Sequence, residues 1–596
     1  MKRQSSALIL LCGVLLGAGA FALPESFDLR NVGGTNFSTS VKSQSGGTCW
    51  THGTMAAVES NLRKTGVWAR EGESGEPDLA EYHLDWWNGF NQHNNDDRDP
   101  PAGAGLEVHM GGDYRVASAY ITRGEGAVRD IDGQSFSTAP ARHGSSYRYY
   151  YPRHIEWFVD DRSGAGRDAI KQTIMEQGAI GTCMYYGGSF FASGSHYQPP
   201  SDTNPPNHSI AIIGWRDTKT TQCATNGAWL CKNSWGGTWN GDGHFWISYY
   251  DKHACKEPQM GAVSFRDVVR QPYLNFYSHD YHGWRDTLAT QTVFNAFTAR
   301  TNEDLVAVSF FTAADLVDFD VRVYRQFTNG ALGELASSTT GRFERTGFHT
   351  VNLGAKVCLT NGAPFYVYLG FSHGGQPYDR TSGVPVLLGA PVSPEDPAAF
   401  AEYLESLGKM GPVAATDTEV VSSAGEGESY YLSGTQWVDL VQLDATASFC
   451  VKGLTVKADL DGDGTPDESD LDDDNDGMPD AWESLHGFNA RQPADGALDS
   501  DGDGALNRQE YVADTDPTNK ASCLRLVAIS ADGPVTIFFP SAASRRYSLQ
   551  GVATLPEGAW SNVPGAGPRA GVDGQDFMTD TNEASYRFYR IGVELP

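Results

Sequence analysis

The stretch "LPESFDLRNVGGTNFSTSVKSQSGGTCWTHGTMAAVESNLRKTG", residues 23–66, decides how this chain is read. Its character changes at Cys49. Gly46 and Gly47 make the approach turn-prone, and from Cys49 onward the pattern is helical. Ala56, Ala57, Ser60 and Leu62 fall on one packed face, and Gly66 ends the helix. A sulfur at a helix N-terminus meets unpaired backbone N–H groups and the positive end of the dipole, both of which favour a thiolate. Cys49 is therefore a candidate nucleophile, beside the reading as a small buried hydrophobe that holds for most cysteines. Further on, "RDAIKQTIMEQGAI" (167–180) predicts a second amphipathic helix closed by Gly178. Strand patterns follow in "HSIAIIGW" (208–215), "GAWLCKNSW" (227–235) and "GHFWISYY" (243–250). An α-rich half is thus followed by a β-rich half.

Four of these segments, in order, resemble the papain-like cysteine peptidases. "LPESFDLRN…VKSQSGGTCW" is similar to that family's mature N-terminus, L-P-x-x-F-D-W-R followed by V-K-N-Q-G-x-C-G-S-C-W. "PDLAEYHLDWW" (77–87) resembles its L-S-E-Q-x-L segment and "NHSIAIIGW" its histidine motif. "CKNSWGGTWNGDGHFWISYYD" (231–251) is similar to its K-N-S-W-G-x-x-W-G-x-x-G-Y-F motif. The resemblance implies an α+β domain over 23–262, with a helical half and a β-barrel-like half. It implies a nucleophile at Cys49, an acid/base at His208, and an orienting side chain at Asn233 covered by Trp235. It also implies an oxyanion donor at Gln44, acting with the Cys49 backbone N–H. Cys49 and His208 are 159 residues apart, against about 130–150 in papain-type patterns, which an insertion near "NGFNQHNNDDRDPPAGAG" (88–105) would explain. Gly46 stands where the family opens C-G-S-C, so its usual disulfide is not expected, and Gln44 precedes Cys49 by five residues rather than six. No N-terminal propeptide is expected.

The rest of the chain points to an exported, multidomain protein of 596 residues. Lys2 and Arg3, the apolar run Ala7–Leu16 and Ala20-Phe21-Ala22 predict a signal peptide over 1–22, with no membrane span after cleavage. Residues 263–456 alternate in short strand patterns, which predicts a β-sandwich, and "SPEDPAAFAEYLESLG" (393–408) reads as a helical insertion. "YLNFYSHDYHGW" and "VNLGAKVCLTNGAPFYVYLGF" resemble the lectin-like domain that follows some bacterial papain-like peptidases. Sugar binding does not follow from that resemblance, and surface glycans or other surface components stay open as partners. Residues 521–596 predict a small terminal β domain. Eight cysteines remain after the signal, and a Cys223–Cys231 bridge across Asn226-Gly227 is one open pairing.

Net charge is −30, which excludes a general nucleic-acid binder, since phosphate recognition needs clustered Lys and Arg. Residues 459–516 carry −17 of it. Asp472, Asp474, Asp476, Gly477 and Glu483 fall at positions 1, 3, 5, 6 and 12 of a twelve-residue loop, and so do Asp499, Asp501, Asp503, Gly504 and Glu510. Asp459, Asp461, Asp463, Gly464 and Asp470 make a third; Asp480, inside the second, joins the candidate ligands. Alternating oxygens with a turning Gly and a final carboxylate are what Ca²⁺ takes. The repeats, with "DTDPTN" after them, resemble thrombospondin type 3 repeats, which implies a structural calcium spacer over 457–520 with no catalytic cofactor. "AWESLHGFN" and "RQEYV" predict short helices. The expectation is an exported monomeric cysteine endopeptidase acting on proteins or peptides. The alternative is a calcium-dependent adhesion or carbohydrate-binding protein built on a non-catalytic papain-like scaffold.

Overall fold

A computed structural model describes residues 23–95, 108–161, 164–187, 189–386, 416–530, 533–556, 558–581, 586 and 588–596. The signal segment, much of the 88–105 insertion and the 393–408 insertion lie outside them. The chain forms two compact units. One holds the chain up to Thr301 together with Leu305–Val456, and the other holds Asn302–Asp304 with Lys457–Pro596.

In the first unit the helix Cys49–Thr65 starts at the predicted residue and ends at Gly66, whose φ of 73° is the left-handed value a helix-terminating glycine supplies. Every residue from Cys49 to Leu62 is buried, because the helix is enclosed on several sides and not on one amphipathic face. It lies against the strands Ile180–Met184, His208–Arg216 and Ala262–Arg270 and the helix Tyr114–Thr122. The second predicted helix forms as Ala165–Gln177, stopped by Gly178.

The strands "HSIAIIGW", "GAWLCKNSW" and "GHFWISYY" become His208–Arg216, Ala228–Lys232 and His244–Ser248, antiparallel neighbours in a sheet of 13 strands among the described residues. That sheet does not stop at the end of the peptidase-like segment. Tyr150–Phe158 pairs with Ala262–Arg270 on one edge and with Gly347–Leu359 on the other. A boundary at 263 therefore falls inside a strand, and the expected separate sandwich is in fact joined to the first domain through a shared sheet. The second layer of the sandwich is a six-stranded sheet that includes Thr292–Thr298, Val317–Thr328 and Pro364–Phe371. Val293, Val321 and Val367 of that layer pack with Val308, Phe310 and Val451 of the large sheet. Another core runs from Trp50 and Tyr114 to Phe348 and Leu454, so apolar burial unites both segments.

The Cys223–Cys231 bridge does not form, and none of the eight described cysteines is in a disulfide. Cys231 lies opposite Ile212 in the sheet, while Cys223 sits in the long connection between the two strands. Asn226-Gly227 ends that connection and does not make a tight hairpin, so the geometry that would have juxtaposed the two sulfurs is absent.

The second unit holds the acidic loops, with short helices at Asp480–His486 and Asn507–Ala513, and a small β domain cored by Ile537, Phe539, Tyr547 and Leu549.

Candidate active site

The helix Cys49–Thr65 lies against the strand that begins at His208, with the Cys49 thiol beside the Ser209 backbone N–H, and the turn after Ala228–Lys232 supplies Asn233. His208 Nε2 lies 2.8 Å from Asn233 Oδ1. An amide oxygen only accepts, so this bond places the neutral ring's proton on Nε2 and leaves Nδ1 as a base. The indole of Trp235 stacks on the imidazole with centroids 4.4 Å apart and planes 20° apart, and Tyr186 and Trp239 pack edge-on against that indole. The aromatic cover excludes water from the His208–Asn233 bond.

Gln44 reaches the same site from the loop before the helix. Its Oε1 accepts from Ser234 Oγ at 2.7 Å, its backbone N–H donates to the Ser234 carbonyl at 2.8 Å, and its Nε2 donates to the Gly46 carbonyl at 2.9 Å. Each motif is anchored through its lysine. Lys42, two residues before Gln44, pairs with Glu59, Glu81 and Asp78 at 2.7–2.8 Å. Lys232, next to Asn233, donates to Thr39 Oγ1 at 2.8 Å, and that hydroxyl donates to Glu59 Oε2 at 2.7 Å. Glu59 on the helix that begins at Cys49 thus ties both loops down. Burial opposes charge on Lys42, but its three carboxylates hold it charged, whereas burial brings Lys232 down to about 8.

Cys49 is 3% exposed, and burial pushes its thiol up to about 12, against the backbone N–H groups of Ser209, Trp50 and Cys49 itself, which favour the anion. Burial likewise brings His208 down to about 4, with the Asn233 bond opposing. Burial thus opposes charge on both groups, against the helix N-terminal N–H groups at the sulfur and the Asn233 bond at the ring.

In the second unit, ligand atoms within 4.8 Å of one another gather in four sets: Asp459, Asp461 and Asp463; Asp472, Asp474 and Asp476; Asp476, Glu483 and Asp495; and Asp499, Asp501 and Asp503. Glu510, fully buried, is close enough to the last three for their charges to raise its affinity for a proton. Asp470 and Asp480 fall in none of these sets. Asp470 Oδ1 accepts from the N–H groups of Leu471 and Asp472, and Asp480 Oδ1 accepts from Asp473 N–H. Asp495 was missed because it lies outside every twelve-residue frame and reaches Glu483 only through folding. His109 and Asp85, which back the Gly46–Gly47 turn, were missed as well, and neither belongs to a recognisable spacing.

The sequence profile described as papain family cysteine protease matches residues 110–264, and that of a lectin like domain matches 276–388. The first stretch includes His208 and Asn233 but begins after Cys49. The chain is 28% identical over 246 residues to pro-cathepsin H of Bos taurus, covering 39% of this chain and 62% of that protein. It is 22% identical over 245 residues to cathepsin K of Mus musculus, covering 40% and 64%. It thus spans less than two thirds of the length of these curated relatives. Among solved structures it is similar to the clostridial cysteine protease Cwp84 after propeptide cleavage, at 20% identity and TM-score 0.55, covering 73% of this chain and 99% of that one. It is also similar to the cysteine protease and lectin-like domains of Cwp84, a surface layer associated protein of Clostridium difficile. There the identity is 19% and the TM-score 0.54, over 74% of this chain and 90% of that one. Among the described residues no helix is long and apolar enough to cross a membrane. The order of motifs, the fold and the matched profiles agree: the chain carries a papain-family cysteine protease domain followed by a lectin-like domain.

Proposed function

We propose that this protein is an exported cysteine endopeptidase that hydrolyses peptide bonds through Cys49, His208 and Asn233. The observation that carries the reading is the 2.8 Å His208–Asn233 bond under the Trp235 ring, on a strand packed against the helix that begins at Cys49. The proton passes from Sγ to His208 Nδ1 as the sulfur attacks the substrate carbonyl. The carbonyl electrons move onto oxygen, where the Cys49 backbone N–H and a Gln44 Nε2 proton stabilise them. His208 then returns its proton to the leaving amine, and water, activated by the same nitrogen, releases the acyl group. Asn233 keeps the ring oriented throughout.

The test is a thiol-directed epoxysuccinyl probe with a fluorogenic peptide library. Stoichiometric labelling at Cys49, with turnover abolished by it, is expected. A folded protein that takes up no label and cleaves no peptide would refute the reading and favour a calcium-dependent adhesion or carbohydrate-binding scaffold.

Calcium in the acidic loops is part of the same proposal, as a structural ion that stiffens the C-terminal segment. Its support is chemical. Asp474 Oδ2, both oxygens of Glu483, Asp495 Oδ1 and Glu510 Oε2 are buried without a hydrogen-bond partner. Buried anionic oxygens left unpaired are strongly unfavourable, and a divalent cation is what pairs with such all-oxygen sets. Asp472, Asp474, Asp476, Glu483 and Asp495 would hold one ion and Asp499, Asp501, Asp503 and Glu510 another. Asp459, Asp461 and Asp463 would hold a third.

A further inference from the structure

We infer that His109, held by Asp85, is a positioning residue that sets the loop carrying the oxyanion donor and the nucleophile. The inference rests on the peptidase reading above and concerns how its site is kept in shape without a covalent tie.

The loop from Gln44 to Thr48 contains two adjacent glycines, and Gly46 has a φ of 66°. Glycine backbone loses more freedom on ordering than any other, so a Gly-Gly loop bearing a reactive group needs external constraint. His109 supplies much of it. Gly47 N–H donates to the His109 carbonyl at 2.6 Å. A Cβ at Gly46 would stand 3.0 Å from His109 Cβ and 3.1 Å from its carbonyl oxygen, so the loop is pressed directly onto that residue. On the other side of the loop, the Gly46 carbonyl accepts from Gln44 Nε2. Contacts therefore run without a gap from His109 through Gly46 to the side chain assigned to the oxyanion.

His109 is itself fixed. Its φ of 70° is in the left-handed region, where a histidine stays only when its surroundings compel it. Nδ1 pairs with the buried carboxylate of Asp85 on the helix Glu81–Trp87. The ring stacks on Phe136 with centroids 4.0 Å apart and planes 22° apart, and Trp86 and Tyr82 meet it edge-on. Tyr82 also accepts from Ser45 N–H at 2.9 Å, so one helix supports the loop twice. The Asp85–His109 pair thus joins a rigid element to a flexible loop at the point where the loop sets catalytic geometry. A misplacement of about 1 Å at such a site costs roughly a hundredfold in rate.

The experiment uses the full chain with two substitutions. His109→Asn retains a residue that tolerates the left-handed backbone but is too short to reach Asp85. Asp85→Asn keeps the shape of the pair and removes its charge. Active sites are counted by stoichiometric labelling of Cys49, and kcat and KM are measured per labelled site. For His109→Asn, kcat per labelled site is expected to fall by about tenfold to about a hundredfold with KM within about threefold. Asp85→Asn should give a smaller fall of the same kind. If both variants keep kcat per labelled site within about twofold of the parent, and any lost activity follows only from fewer labelled sites, the pair is purely stabilising and the inference fails. Should His109→Asn not fold, Asp85→Asn alone decides. A parent protein that neither labels nor turns over would instead overturn the peptidase reading, and this inference with it.

Discussion

Replacing Asn233 with alanine removes two hydrogen bonds, one to the imidazole and one to the next backbone N–H. The one that bears on catalysis is the 2.8 Å contact to His208 Nε2. It matters most when the ring is charged, after it has taken the thiol proton, and a hydrogen bond to a charged group is worth about 1.5–3 kcal/mol. That range corresponds to a fall of about 12-fold to about 150-fold in kcat/KM. A larger loss is not expected, because Trp235 still confines the ring from its face at 4.4 Å and the nucleophile and base are untouched. Asn233 Nδ2 has no partner, so the amide's other half contributes little. A separate stability effect follows from Ser234, whose N–H donates to Asn233 Oδ1 at 2.9 Å and would lose its acceptor in a buried site. Leaving such a donor unpaired costs about 1–3 kcal/mol, read as a lower Tm. The assay is fluorogenic turnover per labelled Cys49, with Tm measured on the same samples. Activity within about twofold of the parent, or a loss as complete as that of Cys49→Ala, would refute the reasoning.

Cys49→Ala should abolish peptide hydrolysis with the circular dichroism spectrum unchanged; activity within about tenfold of the parent would exclude the mechanism. Gly53→Ala should destabilise the first unit by about 1–3 kcal/mol, because the new Cβ would meet Tyr114 Oη at 2.6 Å and Ser209 Oγ at 2.8 Å, and an unchanged Tm would contradict that packing. Chelation should raise protease sensitivity between about 455 and 520 while small-peptide turnover persists, and loss of turnover that calcium restores would overturn this separation. The same segment has a definite pH signature. Burial first, and neighbouring carboxylates second, push Glu483 up to about 8 from 4.5, Glu510 up to about 7 from 4.5, and Asp474 up to about 6 from 3.8. Folded values above the unfolded ones mean the calcium-free segment is most stable in acid, below the ordinary carboxylate range, and loses that contribution as pH rises through about 6 to 8. Calcium affinity should show the opposite trend, rising over the same window as the ligands give up their protons, with calorimetry in buffers of different ionisation enthalpy reporting the release.

The sequence alone determined the features that depend on local spacing. The helix start at Cys49 and its end at Gly66 follow from composition and periodicity, as do the strands that carry His208 and precede Asn233. The aspartates at loop positions 1, 3 and 5 are legible for the same reason, since a loop that turns at a glycine brings residues two apart to one side. Folding supplied the features that involve residues far apart in the chain or the dielectric around them. How strongly burial opposes charge on Cys49 and His208 depends on how completely the fold excludes water, which no motif encodes. The shared sheet arises because Tyr150–Phe158 has two open edges and finds a partner on each, one of them nearly 200 residues later. Asp495 joins Glu483, and His109 meets Asp85 and the Gly46–Gly47 turn, through contacts that fall at no fixed spacing. Spacing is a property of the chain, whereas burial and convergence are properties of the packed structure, and the environment of each reactive group belongs to the second kind.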